Sequence, residues 1–254
     1  MTAAVTLRVI GIGPGGPRQI TLEAVDAIGA TDVFFLLDKG GRTGELTAVR
    51  EEMLTAHAPA EHRVVAVPDP PRDRDPDDYE AEVRRWHRAR VDALHTAITA
   101  NLAPGETGGF LVWGDPALYD STLRILAQLA DDADGGVTIE VVPGVTSASA
   151  LTAAHGIVAH GIGEPVLTTT GRRLAQTPDG ADLNQIVMLD SHLAFRETAA
   201  PDDIVHWGAY VGTDHQILVS GRVADVTDEI VASRAAARER HGWVMDIYLL
   251  QRAR

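Results

Sequence analysis

Three short stretches hold the residue types that bring a protein backbone against a small ligand. Gly11-Ile12-Gly13-Pro14-Gly15-Gly16 follows the apolar pair Val9-Ile10, and Trp113-Gly114-Asp115-Pro116-Ala117-Leu118-Tyr119 follows Phe110-Leu111-Val112. The third is Val142-Pro143-Gly144-Val145-Thr146-Ser147-Ala148-Ser149-Ala150. Each begins where a β-type run ends, and open α/β sheets bind ligands beyond the carboxyl ends of their strands. Gly11, Gly13 and Gly16 also spell the Gly-x-Gly-x-x-Gly of a dinucleotide loop, with Asp38 where a ribose-binding acid would stand. Pro14 argues against that reading, because a pyrophosphate is held by successive N–H groups and proline has none. Each stretch also has a plain structural reading: Asp115 as a helix cap in a turn, Ser147 and Ala148 as capping and packing residues.

The elements that must position these loops follow from the hydrophobic pattern. Strands are expected at residues 7–12, 32–37, 63–67, 109–113 and 137–142, with helices at 19–29, 45–57, 78–101 and 117–130. Continuous apolar strands separated by helices indicate a parallel sheet covered on both faces. Beyond residue 156, runs at 165–169, 185–189, 204–210, 216–220 and 243–250 have shorter connections, which suggests a second, mixed sheet. The expected organisation is two α/β domains, 1–114 and 115–254. Residues 68–78, rich in proline and charge, are expected to be a solvated surface loop, with a lid as the lesser alternative.

Composition narrows the chemistry. A formal charge of −14 argues against nucleic acid as a partner, since a phosphate backbone demands a basic face. The absence of cysteine removes disulfides, thiolate nucleophiles and iron–sulfur clusters, and no metal site is expected. No apolar run approaches membrane-spanning length and the first residues do not form a secretory leader, so a cytoplasmic location is expected.

Taken together, Gly11-Ile12-Gly13-Pro14-Gly15, Gly114-Asp115-Pro116 and Pro143-Gly144-Val145-Thr146-Ser147 resemble the S-adenosylmethionine-dependent tetrapyrrole (precorrin) methylases, over nearly the whole chain. That resemblance implies two α/β domains with the active site in the cleft between them, S-adenosylmethionine as methyl donor, a precorrin substrate and a homodimer. Carried over by position, it implies Pro14 at the substrate side of the site. Trp113, Gly114, Asp115 and Leu118 would lie along the methionine and ribose, with Thr146 and Ser147 beside them. Leu189, Gly212 and Met245 complete the implied cofactor set. Leu189 stands where the family often has Met, and Asp190 where it often has Gly.

Within the family, Leu37-Asp38-Lys39-Gly40, the stretch from Val112 to Thr122 and the terminal Gly242-Trp243-Val244-Met245-Asp246-Ile247-Tyr248 point to a member that also removes an acetyl group. Such a reaction needs a base to activate water. Asp38 is the first candidate, His192 the second, and Tyr119 could polarise a carbonyl. A turn aspartate, an incidental loop histidine and a core tyrosine are the structural alternatives. A substrate rich in carboxylates needs local arginines; Arg42, Arg84, Arg85, Arg88, Arg172 and Arg173 are the candidates, most of the α-helical group being expected to pair on the surface. The competing readings are another precorrin methylase, a diphthine synthase or rRNA methylase of the same superfamily, a nicotinamide oxidoreductase, and a ligand-binding sensor without turnover.

Overall fold

The computed structural model describes residues 5–38, 44–73, 76–132, 136–176 and 182–253. Its internal contacts form two compact units, Met1–Gly13 with Pro17–Val145, and Pro14–Gly16 with Thr146–Arg254.

The first unit alternates strand and helix: β1 (Val5–Gly11), α1 (Leu22–Gly29), β2 (Val33–Asp38), α2 (Gly44–His57), β3 (Arg63–Pro68), α3 (Tyr79–Asn101), β4 (Thr107–Val112), α4 (Thr122–Asp132) and β5 (Val137–Val142). The strands lie in the order β3-β2-β4-β1-β5, and every neighbouring pair is parallel. Period-two alternation sends Leu7, Val9, Phe35, Phe110 and Val112 to one face, against Val91, Leu94 and Ile98 of α3 and Ile125, Leu126 and Leu129 of α4. Ile10, Phe34 and Leu111 point to the other face, against Ala24 and Ile28 of α1 and Met53 and Leu54 of α2. Each large aliphatic side chain buried this way contributes roughly 1.5–3 kcal/mol.

Three expectations shift. The first unit continues past Gly114 to Val145, because β5 pairs with β1 from Val5↔Val137 to Ile10↔Val142. Helix α1 begins at Leu22 rather than at residue 19, since the Thr21 hydroxyl caps it by accepting from Ala24 N–H at 3.1 Å. Helix α4 begins at Thr122 rather than at 117: Tyr119 has a left-handed backbone (φ 54°), and the Asp120 carboxylate accepts from Thr122 N–H at 2.6 Å.

The second unit contains α5 (Ser147–His155), β6 (Val166–Thr170), α6 (Gly171–Gln176), β7 (Asn184–Met188), α7 (Phe195–Thr198), β8 (Ile204–Ala209), β9 (Ile217–Arg222), α8 (Val223–His241) and β10 (Asp246–Gln251). Its sheet runs β6-β7-β10-β8-β9, with β6 and β7 parallel and the other pairs antiparallel. Strand β10 shows the same alternation: Tyr248 and Leu250 face Phe195 of α7 and Ile230 and Ala237 of α8, while Ile247 and Leu249 face Ala150 and Leu151 of α5. Among the described residues no helix is long and apolar enough to cross a membrane.

Candidate functional site

In the first unit β4, β1 and β5 are adjacent and parallel, so their carboxyl ends lie side by side. The loops leaving them are joined backbone to backbone. Gly13 and Gly114 exchange a pair of hydrogen bonds, Gly13 N–H to Gly114 O at 3.2 Å and Gly114 N–H to Gly13 O at 2.8 Å. A Cβ placed on Gly144 would sit 2.1 Å from Gly114 O and 2.9 Å from Gly11 Cα, and one on Gly11 would sit 2.6 Å from Gly144 N. No side chain fits at either position without moving backbone. Asp115 completes the weave: one carboxylate oxygen accepts from Ala117 N–H at 2.8 Å, the other from Gly144 N–H at 2.9 Å. Asp115 is thus a staple between two loops as well as a turn residue.

Trp113 is half-buried against the α1–α2 face, and Leu118 is half-buried with its N–H on Asp115 O at 3.1 Å. Gln19 was not singled out by the sequence. Its Oε1 is buried with no hydrogen-bond partner, and its backbone lies where a Cβ on Gly13 would collide. A buried acceptor with no protein donor beside it is an exception that calls for a ligand or water donor.

Of the catalytic candidates in this unit, Asp38 sits at a strand end and Tyr119 in the connection between β4 and α4. Asp38 closes β2, is exposed, and accepts Asp69 N–H on its carbonyl at 2.9 Å. Tyr119 is 42% exposed, and partial burial raises its phenol above the ordinary tyrosine value, so it carries its proton at neutral pH.

In the second unit the carried-over positions also gather at one edge. The start of β10 lies between the ends of β7 and β8, through Ile247↔Met188 and Asp246↔Ala209. Leu189 follows β7, Gly212 follows β8, and Met245 precedes β10, accepting Tyr210 N–H at 2.9 Å. Leu189 and Tyr210 both have left-handed backbones (φ 53° and 49°), as Gly212 does (φ 87°). Leu189 is also 67% exposed, an apolar side chain held outward by an unfavourable backbone. Thr146 caps α5, accepting Ser149 N–H at 3.0 Å, and Ser147 opens that helix. Next to it, Ala148 packs on the cluster that contains Val211 and Ile247.

His192 is exposed, and its backbone N–H donates to Asp190 at 3.0 Å. Asp190 itself is buried: its carboxylate also accepts from Ala194 N–H and Tyr248 O–H, each at 2.7 Å. A Cβ on Gly171 would fall 2.2 Å from Asp190 Cγ, so the acid at 190 requires the glycine at 171. Arg234 binds the carbonyls of Asp190 and Ser191 and the Asp246 carboxylate at 2.8 Å. Burial raises Asp246 above the usual carboxylate range, against the pull of Arg234.

Among the arginine candidates, Arg84, Arg85 and Arg88 pair on the α3 surface with Glu80, Glu82, Asp92 and Asp132. Arg172 and Arg173 lie in the first turn of α6 rather than in a loop. Arg42, with Lys39 and Gly40, lies outside the described residues. Four arginines that the sequence did not single out, Arg50, Arg72, Arg90 and Arg124, line a cavity in the first unit together with Tyr119. The proline-rich stretch forms part of that wall and is tied down: Asp69 binds Arg90, and the Pro70 and Pro71 carbonyls accept from Trp86 and Arg85. Residues 69–71 are therefore packed on α3 rather than free in solvent.

A family model for Tetrapyrrole (Corrin/Porphyrin) Methylases matches residues 6–227. The chain belongs to this family. A precorrin-6A synthase [deacetylating] from Sinorhizobium sp. is 40% identical over 245 residues, 96% of this chain and 94% of that protein. The crystal structure of a cobalamin synthesis related protein (CobF) from Corynebacterium diphtheriae superposes with a TM-score of 0.84 at 37% identity, covering 98% of this chain and 99% of that one. A uroporphyrin-III C-methyl transferase from Thermus thermophilus, solved with S-adenosylhomocysteine, shares the fold: TM-score 0.59, 20% identity, 97% of this chain and 92% of that one. Membership in the tetrapyrrole methylases sets aside the nicotinamide reading, and the geometry agrees. Helix α1 starts six residues beyond Gly16, whereas a dinucleotide loop delivers its pyrophosphate directly to a helix N-terminus.

Proposed function

We propose that this chain is a precorrin-6A synthase of the deacetylating kind, a C-methyltransferase of cobalamin biosynthesis. It would convert precorrin-5 to precorrin-6A by methylation at C-1 with release of the acetyl group as acetate. The observation that carries this reading is 40% identity to such an enzyme across almost the full length of both chains. S-adenosylmethionine is the methyl donor in this reading, and when bound it supplies an electrophilic methyl on a sulfonium. The residues at the loop edge suit it: Pro14 and the interlocked glycines offer no phosphate cradle. Trp113, Gly114, Asp115 and Leu118, with Pro14, Thr146, Ser147, Leu189, Gly212 and Met245 as the positions that the family resemblance adds, are the proposed cofactor residues.

The protein's own chemistry is then positioning, exclusion of water from the sulfonium, and one proton transfer. Asp38, with His192 as the second choice, takes a proton from the water that attacks the acetyl carbonyl carbon. Tyr119, protonated at neutral pH, donates a hydrogen bond to that carbonyl oxygen. The bond from acetyl to ring carbon breaks, acetate leaves, and the electron pair stays on the ring carbon that accepts the methyl. The same reading makes the enzyme a cytoplasmic homodimer, an expectation that light scattering of the purified chain tests. In calorimetry, the account expects S-adenosylhomocysteine to bind and NADH not to. Incubation with precorrin-5 and S-adenosylmethionine should give a product of precorrin-6A mass. NADH binding, or turnover of precorrin-2 in place of precorrin-5, would overturn the reading.

A further inference from the structure

Strands β2 and β4 are paired only through Val33↔Gly108 and Phe34↔Gly109. Above those pairs, Leu36 and Leu37 on one side and Leu111 and Val112 on the other border a cavity of about 410 Å³, within the usual size of small-ligand sites, about 300–1,000 Å³. Its positive lining comes from four separate elements, Arg50 of α2, Arg72 of the proline-rich stretch, Arg90 of α3 and Arg124 of α4, and Asp120 lies among them.

Two of these guanidiniums are committed inside the protein. Arg90 is buried and holds Asp69 through two bonds of 2.6 Å, with Ser121 Oγ at 3.3 Å. Arg50 donates to Leu111 O at 3.1 Å and faces Asp120. Four guanidiniums thus stand against Asp69 and Asp120, with Glu82 shared between Arg72 and Arg85, which leaves an excess of positive charge in a chain of net charge −14. Arg72 is braced between two rings, and its charge helps to hold the Glu82 carboxylate below its ordinary value. Its guanidinium lies 5.4 Å from the Tyr79 ring centre and 5.0 Å from that of Trp86, and its Nε is buried without a hydrogen-bond partner. A buried guanidinium N–H with no acceptor is a costly exception that a bound anion removes. The field is felt at His87, another lining residue, which is held below its ordinary value by burial and then by Arg90, Arg124 and Arg72.

We propose that this cavity is a carboxylate-binding subsite, in which Arg72 and Arg124 grip an acidic side arm of the tetrapyrrole substrate. The planar guanidinium fork matches a carboxylate in shape and charge. Assigning the arm to the substrate rests on the proposed function; the carboxylate chemistry of the site does not.

The test uses the full chain and three probes: uroporphyrin as a stable tetrapyrrole polycarboxylate, its methyl ester, and citrate. The readout is the NMR pH titration of the His87 ring, alongside dissociation constants for the wild type and the R72Q/R124Q double variant. Uroporphyrin should raise the His87 midpoint, the ester should not, and R72Q/R124Q should weaken uroporphyrin about tenfold or more. S-adenosylhomocysteine affinity should stay unchanged in that variant. Should it fail to fold, R72K replaces it, keeping the charge but losing the fork, and should weaken binding by a smaller factor. A His87 response to citrate but not to uroporphyrin would overturn the substrate arm and reassign the site to small free carboxylates. No response to either, or unchanged affinity in the variants, overturns the subsite itself. Failure of the proposed function would look different: no methylation of precorrin-5 while the His87 response persists.

Discussion

Two regions of the first unit, both at the carboxyl edge of its sheet, are built on opposite principles. The edge over β4, β1 and β5 is made of backbone: Gly11 and Gly144 approach so closely that side chains are excluded, Gly13 and Gly114 exchange a pair of hydrogen bonds from left-handed backbones, and Asp115 fastens the loops. The cavity beside β2 is made of side chains: four arginines, Trp86 and His87 brought together from distant parts of the chain. A backbone-built site depends on glycine and proline at fixed positions, so its spacing is written in the sequence. A side-chain-built site depends on where whole helices lie, and a helix such as α3 reads the same whether its arginines face solvent or a cavity.

That contrast sets the order of expected effects. Asp69→Ala strips the partner from Arg90, whose side chain is only 5% exposed, and leaves a buried charge uncompensated. The cost should be about 3–5 kcal/mol in denaturant unfolding, because breaking a buried pair leaves one ion without compensation. Gly144→Ala drives a methyl group into Gly114 O and should cost on the order of 3 kcal/mol. It should also abolish S-adenosylhomocysteine binding, as a calorimetric titration would show. Asp115→Ala removes two acceptors from backbone donors and should cost roughly 1–3 kcal/mol. A loss of ligand affinity well beyond that of stability would mark the loop weave as site rather than scaffold. At the small end, Arg84→Gln breaks an exposed 3.7 Å pair with Glu80 and should stay within about 0.5 kcal/mol.

The pH dependence sharpens the same comparison. His87 in the folded cavity has a value depressed below its ordinary 6.5, so the unfolded chain binds the proton more readily. Its contribution to stability is fully present above 6.5 and is lost as pH falls from there through the depressed folded value. His87→Gln should flatten the stability profile in that window, and an unchanged slope would show that neither burial nor the arginines depress His87.

Much of the fold is legible in the residues. The ten strands fall within a few positions of the apolar runs, and the β10 alternation of Ile247 and Leu249 against Tyr248 and Leu250 is ordinary period-two patterning. Boundaries set by side-chain chemistry are less legible. Thr21 and Asp120 terminate helical patterns that periodicity alone would extend. The three-loop edge is legible because its glycines and Asp115 are local motifs. Arg50, Arg72, Arg90 and Arg124 carry no common motif, and Gln19 has no signal beyond standing after the glycine loop. Asp190, which departs from the family pattern, is explained only by its three donors and its fit against Gly171, relations that span the second unit.

The central claim is that methyl transfer and loss of the acetyl group belong to one reaction of this chain. The direct measurement follows precorrin-5 carrying an isotope label in its acetyl group, with S-adenosylmethionine, and quantifies labelled acetate against S-adenosylhomocysteine by NMR. The account predicts that the two appear in equal amounts throughout the reaction. S-adenosylhomocysteine formed without acetate would contradict it and place the chain elsewhere among the tetrapyrrole methylases.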